Sequence, residues 1–505
     1  MNIQEAKNQI RGAMTAYLSK DRYGHYRIPP EKQRPLFLYG ASGIGKTAIV
    51  AQAAAEMGVG LVSYSMTHHT RQSALGLPYI VDEAYEGMHY RVTEYTMSEI
   101  FGSIYDMMRK TGVKEGILFL DEINCVSETL APTMLQFLQY KVFGQHHLPS
   151  GWIVVTAGNP PEYNKSVRDF DIATWDRLKR IDVEPDYQTW KKYAHSIGVH
   201  PAVLTYLDAR QKDFYKIETS VDGKKFVTPR GWVDLSEMMK LYEEHDLKID
   251  QALISQYLQD ERIARAFAIY NDLFRKYRSD YQIDKILAGT AGDDIVFRAA
   301  HASMDERVSV LGLLFDALQI GIRRVCMEED ALDALKPVLQ NTLKELKENE
   351  AIGLLNQQIQ EQREEEEKGR ESSSMSSRML DVKEEMILTL EEISSTIQKE
   401  KRDPAEAVKE LYGRKVKHLK EDAEETKQQM NHVFSFFEKS FSEEEPILIF
   451  VAELTSDYWS ARFIGHYGCD AYFLHSKKLQ FEERQKTLIQ KAQAMNYELE
   501  EGETK

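Results

Sequence analysis

The sequence predicts an α/β fold, a parallel sheet flanked by helices, followed by a long helical continuation. Three observations lead there. In residues 1–185, short apolar runs end at turn residues and alternate with helical patterns. Beyond Pro185, apolar residues recur at three- and four-residue spacing, the period of a helix with one buried face. Between Asn341 and Met430, Tyr412 is the only aromatic residue and Pro404 the only proline, and aromatic residues return after that.

The strands come first. Pro35-Leu-Phe-Leu-Tyr39 runs into Gly40, and Gly60-Leu-Val-Ser-Tyr-Ser65 follows a small-residue helix. Ile117–Leu120 ends at Asp121, Trp152–Thr156 ends at Ala157-Gly158-Asn159, and Arg180–Val183 reads as a further strand. Near-continuous apolar strands between helices imply a sheet covered on both faces. Met97–Lys110 reads as a helix, and the alternation of Leu77–Thr96 around Glu86-Gly87 as an inserted hairpin before it.

The helices follow. Tyr187–Ile197, Pro201–Lys216, Pro229–His245 and Gln251–Tyr277 carry the helical period, and a further block runs from Asp305 to about Leu346. Val382, Met386, Leu390, Ile393 and Ile397 form a stripe. Residues 361–378, with four acids at Glu364–Glu367 and a serine-rich stretch at Ser372–Ser377, interrupt it. Two amphipathic or coiled-coil helices with a flexible joint are expected there. Phe434, Phe436, Phe437, Phe441, Tyr458, Trp459 and Phe463 belong to a small terminal module. The divisions are 1–185 (α/β), 186–277 (helical lid), 278–340 (helical), 341–430 (charged helices) and 431–505 (aromatic-rich module).

Composition excludes several classes. The chain has 505 residues, 64 Lys+Arg against 80 Asp+Glu, and a net charge of −16. Broad binding to duplex nucleic acid needs a large cationic face, which this balance disfavours. Three widely spaced cysteines, Cys125, Cys326 and Cys469, offer neither a disulfide framework nor a cysteine-rich zinc site. The longest apolar run, Ile447–Ala452, is far short of the roughly 20 residues of a membrane helix. The N-terminal residues lack a signal-peptide pattern, and a cytoplasmic location is expected.

The strongest chemical signal is Gly40-Ala41-Ser42-Gly43-Ile44-Gly45-Lys46-Thr47, which fits G-x-x-x-x-G-K-[ST]. Glycines let the backbone turn its N–H groups onto phosphate oxygens. Lys46 places a cation on the terminal phosphates, Thr47 offers a hydroxyl to Mg²⁺, and Ala48 lies in the helix whose N-terminus faces the phosphates. The motif follows a strand and opens a helix, as this chemistry requires. The second signal is the apolar strand ending in Asp121-Glu122. Asp121 suits Mg²⁺, and Glu122 suits the orientation of an attacking water. The third is Asn159, at the carboxyl end of its strand, where parallel sheets bind ligands.

These motifs, with the later Thr228-Pro229-Arg230-Gly231-Trp232, follow the order seen in AAA+ ATPases. Ile117–Asn124, Leu148–Pro160 and Thr228–Trp232 resemble the MoxR group, relatives of the magnesium-chelatase subunit. The resemblance covers roughly residues 1–275. It implies ATP and Mg²⁺ as cofactors, Asn159 as sensor 1, and Arg230 as sensor 2. It implies an arginine finger at Arg177, with Arg180 second, acting on the neighbouring subunit in a homo-oligomeric ring, usually a hexamer. It also implies a protein partner, often one with a von Willebrand factor A domain, places the Leu77–Thr96 hairpin as an insert in the second helix, and implies a second hairpin around Tyr140–Gly151 before sensor 1.

Weaker patterns are His68-His69 and His146-His147, read as surface histidines, and the locally basic Lys409–Lys420, read as a solvated helix face. The leading functional reading is a Mg²⁺-dependent, ring-forming ATPase that remodels or matures a protein partner. The alternative is a nucleic-acid-stimulated motor of the MCM type. Glu83, Glu86 and Glu94 against a single Arg91 in the hairpin disfavour it. A nucleotide-gated scaffold is a third option, disfavoured by the intact Asp121-Glu122 pair.

Overall fold

The computed structural model describes residues 1–477 apart from 87, 162–166, 168, 169, 221, 222, 346–350, 401 and 402. Gly87 of the hairpin turn, Leu346 at the end of the second helical block, and residues 478–505 of the terminal module lie outside the described residues. The chain divides into two compact units. The first comprises Met1–Trp190, Thr228–Gly231 and Ala334–Pro404, and the second comprises Lys191–Val227, Trp232–Asp333 and Ala405–Lys505.

In chain order the first part contains α1 (Ile3–Tyr17), β1 (Leu36–Gly40), α2 (Lys46–Met57), β2 (Gly60–Ser65) and α3 (Arg71–Leu75). Next come β3 (Pro78–Tyr85), β4 (Met88–Tyr95), α4 (Glu99–Thr111), β5 (Gly116–Asp121) and α5 (Ala131–Tyr140). It continues with β6 (Val142–Phe143), β7 (His146–His147), β8 (Trp152–Gly158), α6 (Ile172–Trp175) and β9 (Lys179–Val183). Five strands form one sheet in the order β2-β5-β8-β1-β9, every neighbouring pair parallel. Leu36, Phe37 and Leu38 of β1 and Ile117 to Leu120 of β5 are wholly buried, as expected of strands covered on both faces. Phe101, Phe137 and Phe143 form an aromatic cluster in the core, the last two stacked at 4.3 Å. Truncating such a phenylalanine costs ~3–5 kcal/mol.

Both expected hairpins are present: β3–β4 is antiparallel with Tyr85 opposite Met88, and β6–β7 pairs Val142 with His147. The serine-rich joint is narrower than the sequence reading. Helix α15 (Ala351–Ser372) runs straight through the four acids, and α16 (Ser377–Glu400) resumes five residues later. Ser373 turns the chain with φ +53°. The two helices pair antiparallel, with Lys383 Nζ donating to Gln362 and Glu365 and Ser394 donating to Asn356. Helix α15 lies against α4 and the edge strand β2.

The second unit is built on α8 (Pro201–Ala209), the antiparallel pair β10 (Lys216–Ser220) and β11 (Gly223–Val227), α10 (Gln251–Tyr257) and α11 (Glu261–Tyr281). Helices α7 (Tyr187–Ser196) and α9 (Pro229–Glu244) each contribute residues to both units. Two sequence expectations are corrected here. The Pro201–Lys216 helix ends at Ala209, and the chain then enters β10, whose Ile217 pairs with Phe226. The Gln251–Tyr277 helix is two helices, because Asp260 caps α11 by accepting from the Arg262 and Ile263 amides. Trp232 is the anchor, donating from Nε1 to the Phe214 carbonyl and packing edge-on to Phe267.

The unit continues with α12 (Ile283–Leu287), α13 (Asp293–Ala300), α14 (Met304–Glu345) as far as Asp333, α17 (Pro404–Ser440) from Ala405, α18 (Glu445–Ser456) and α19 (Tyr458–Tyr467). Helix α17 passes Met430 unbroken and carries Phe434 and Phe437 onto Phe450 of α18. Gln319 of α14 donates to Asp457 and Ser460, and Arg462 pairs with Glu329 and Asp330. The terminal aromatic residues are therefore part of this unit's core. Among the described residues, no helix is long and apolar enough to cross a membrane.

Candidate nucleotide site

The carboxyl ends of β1, β5 and β8 meet where the strand order reverses around β1, the place at which such sheets bind ligands. The loop from Gly40 to Gly45 leaves β1 there. Gly43 and Gly45 have φ +76° and +98°, a region costly to residues with a Cβ. A Cβ on Gly40 would stand 2.3 Å from the Val183 carbonyl oxygen, so the loop's start admits glycine alone. Gly45 caps α2, and Lys46 is that helix's first residue. Amide groups at this terminus face outward and form an anion site.

Lys46 is buried, and its ammonium donates to the carbonyls of Gly40 (2.8 Å) and Ala41 (2.6 Å) and to Asn159 Oδ1 (2.9 Å). Burial pushes it down to about 8, against the pull of Asp121 and Glu122, and the Arg230 charge pushes the same way as burial. An ammonium in a dry site gains from a polyanion that restores its charge.

Thr47 donates from its hydroxyl to Asp121 Oδ2 at 2.9 Å. Asp121 Oδ1 accepts the Glu122 amide at 2.8 Å. A hydroxyl and a carboxylate oxygen this close, both hard donors, suit Mg²⁺. Glu122 takes φ +55°, which turns its side chain toward β2. Its Oε2 accepts from Ser65 (3.1 Å) and Thr67 (3.2 Å). Asn124 donates to the Asn159 carbonyl at 2.8 Å, fixing the backbone that carries the amide.

The sequence reading of the site missed Ser65, Thr67 and Asn124. Ser65 ends the strand beside β5, and Thr67 follows it closely. Their position at a strand's carboxyl end is the signal that could have found them.

The two candidate fingers differ. Arg180 stacks on Tyr39 (4.4 Å) and Trp175 (4.7 Å) and pairs with Asp182 at 2.7 Å. Arg177 lies exposed at the end of the α6 turn. Arg230 is exposed, and its amide donates to the Gly43 carbonyl at 3.1 Å. Thr228 packs on Gly43, where a Cβ would be 2.9 Å from its hydroxyl. Thus Thr228–Arg230 sits on the phosphate loop. Gly40 to Thr47, Asp121, Glu122, Asn159 and Arg230 form one cluster. Among the described residues, Arg177 makes no hydrogen bond or ion pair with this cluster. His146 and His147 form β7 of the short hairpin, and His69 faces Ser73 at 3.0 Å; among the described residues none of the three belongs to a group that could hold a metal ion.

The family model of the AAA domain (dynein-related subfamily) matches residues 35–178. No curated protein matches the chain at a significant level. The match runs from the start of β1 to the approach to β9 and takes in the phosphate loop, the Asp121-Glu122 strand end and Asn159. Residues 35–178 of the first unit are therefore similar to an AAA domain, carried on a parallel sheet of the AAA+ type.

Proposed function

We propose that the chain is a Mg²⁺-dependent, MoxR-like ATPase that works as a homo-oligomeric ring, a hexamer, and remodels or matures a partner protein. The observation that carries this reading is the hydrogen-bonded set Lys46–Asn159 and Thr47–Asp121 at the mouth of the phosphate loop. Each of these bonds joins two groups that a triphosphate and its metal would engage.

The residues divide the work. The amides of Gly43 to Thr47 hold the phosphates, and Lys46 neutralises their charge. Thr47 and Asp121 would hold Mg²⁺, which supplies charge neutralisation of the phosphate oxygens. Glu122 orients the attacking water once its side chain leaves Ser65 and Thr67. Asn159 exchanges its bond with Lys46 for one to the γ-phosphate or the water. Arg230 approaches the nucleotide of its own subunit, and Arg177 serves a neighbouring subunit's site. The exposure of Arg177, beside the stacked and ion-paired Arg180, supports this order of preference.

A protein partner fits the acidic balance of the chain better than a nucleic acid strand. In the β3–β4 hairpin the lone Arg91 is paired with Asp82 at 2.9 Å, which leaves Glu83, Glu86 and Glu94 to set its charge. The nucleic-acid motor reading is correspondingly weaker. The test is capture: Glu122→Gln chain held in ATP and Mg²⁺ should retain a protein partner that Lys46→Ala chain does not. ATP turnover stimulated by single-stranded DNA and suppressed by salt would favour the motor instead.

A further inference from the structure

The second unit contains a side-chain cluster that the nucleotide site does not use. Glu328 projects from α14, and His418 and Asp422 project from α17 one turn apart. Their three ligand atoms lie within 4.8 Å of one another. His418 Nδ1 stands 3.6 Å from Asp422 Oδ2 and 4.0 Å from Glu328 Oε1. We propose that these three side chains bind a first-row divalent cation of the Zn²⁺ type and clasp α14 to α17.

Four observations carry it. First, one imidazole nitrogen with two carboxylate oxygens is a mixed set that suits Zn²⁺ better than Mg²⁺. Second, the spacing is close to that of a bound ion. Ligands about 2.1 Å from a tetrahedral zinc stand about 3.4 Å apart, so the two His418 separations need closure by roughly half an ångström or less. Third, Asp422 is only 8 % exposed, and its Oδ2, shielded from solvent, accepts no hydrogen bond. A buried carboxylate oxygen with no hydrogen bond favours a cation beside it. Fourth, the backbone beneath the cluster is fixed. Gly321 meets Thr426 so closely that a Cβ would stand 2.8 Å from its hydroxyl, less than two turns from the cluster on each helix.

The present counter-charge is Arg324, whose Nη2 lies 3.1 Å from Asp422 Oδ2 without hydrogen-bond geometry. Its side chain is half exposed and can swing into water. An arriving cation would displace this guanidinium from Asp422. The clasp lies close in sequence to the points where the chain leaves this unit, at Asp333, and re-enters it, at Ala405. The ion would pin the two helices together there.

The test uses the full chain without nucleotide, titrated with Zn²⁺ alone by calorimetry and with Co²⁺ alone by visible absorption. We expect one Zn²⁺ per chain at a Kd tighter than about 10 µM. His418→Ala and Glu328→Gln should each weaken it about tenfold or more and remove the Co²⁺ band. Arg324→Ala should tighten it, since it removes the competing charge. Both weakened variants alter partly exposed side chains, and an unchanged unfolding midpoint without metal shows that they fold. No Zn²⁺ binding by the native chain, or the same affinity in His418→Ala, overturns the proposal.

Discussion

Nucleotide binding should draw a proton from solution, and Lys46 is the reason. In the free site, burial holds this ammonium down at about 8. A triphosphate beside it restores the charged form and raises its pKa. At pH 8 about half of the free lysines are neutral, so binding takes up about 0.5 proton; at pH 7 the figure is about 0.1 and at pH 9 about 0.9. The same linkage weakens binding about tenfold between pH 7 and pH 9, or ~1.4 kcal/mol. The assay is calorimetry with Mg²⁺ and a non-hydrolysable ATP analogue, in buffers of different ionisation enthalpy. The slope of observed heat against that enthalpy gives the proton uptake. Lys46→Arg, which stays charged, should bring the slope to zero. A slope of zero for the native chain between pH 8 and pH 9 would refute the argument, because Lys46 would then be charged before the nucleotide arrives.

Further outcomes follow from the same geometry. Ser65→Ala with Thr67→Ala frees Glu122 of two hydrogen bonds and should raise basal phosphate release by up to about tenfold (~1.4 kcal/mol of barrier); an unchanged or lower rate argues that the two hydroxyls do not restrain it. Arg177→Ala should bind ATP normally yet lose about three orders of magnitude in turnover, and mixing it with Lys46→Ala chain should restore part of the activity. No recovery at any mixing ratio speaks against action between subunits. Arg180→Ala should instead lower stability by ~1 kcal/mol through its lost stacking, seen in the unfolding midpoint. Lys141 is buried, and burial holds it down at about 8. Its folded value is below the unfolded one, so the folded state binds fewer protons and stability rises as pH climbs from about 8 toward 10. Lys141→Met should raise the midpoint at pH 7 and gain less at pH 9.5; a pH-independent gain contradicts the burial argument.

What could be read in the sequence was local. The phosphate loop, Asp121-Glu122 and Asn159 each declare themselves within a few residues, because glycine conformation, strand polarity and helix starts are short-range. The grip of Ser65 and Thr67 on Glu122 could not be read, since it depends on β2 lying beside β5 in the sheet. Asn124 was visible as part of a motif, but its bond to the Asn159 carbonyl crosses from the loop after β5 to the end of β8. The engagement of Arg180 by Tyr39 and Trp175 needed three separate elements in place. The hairpin β10–β11 lay almost wholly beyond the expected Pro201–Lys216 helix and is too short and polar to show a period of its own, and the Asp260 cap was hidden inside a run that kept the helical period on both sides. The packing of α15 on α4 and β2 is set by tertiary contact, which a solvated-looking charged helix does not announce.

The account rests on Lys46, Asp121 and Glu122 acting together on ATP and Mg²⁺. Its most direct test is the time course of phosphate release by native, Lys46→Ala and Glu122→Gln chains, measured alongside ATP binding. The native chain should release phosphate only with Mg²⁺, Lys46→Ala should lose binding, and Glu122→Gln should hold ATP and release almost nothing. Native-like release from Glu122→Gln, or a native chain that binds no ATP with Mg²⁺, would contradict it.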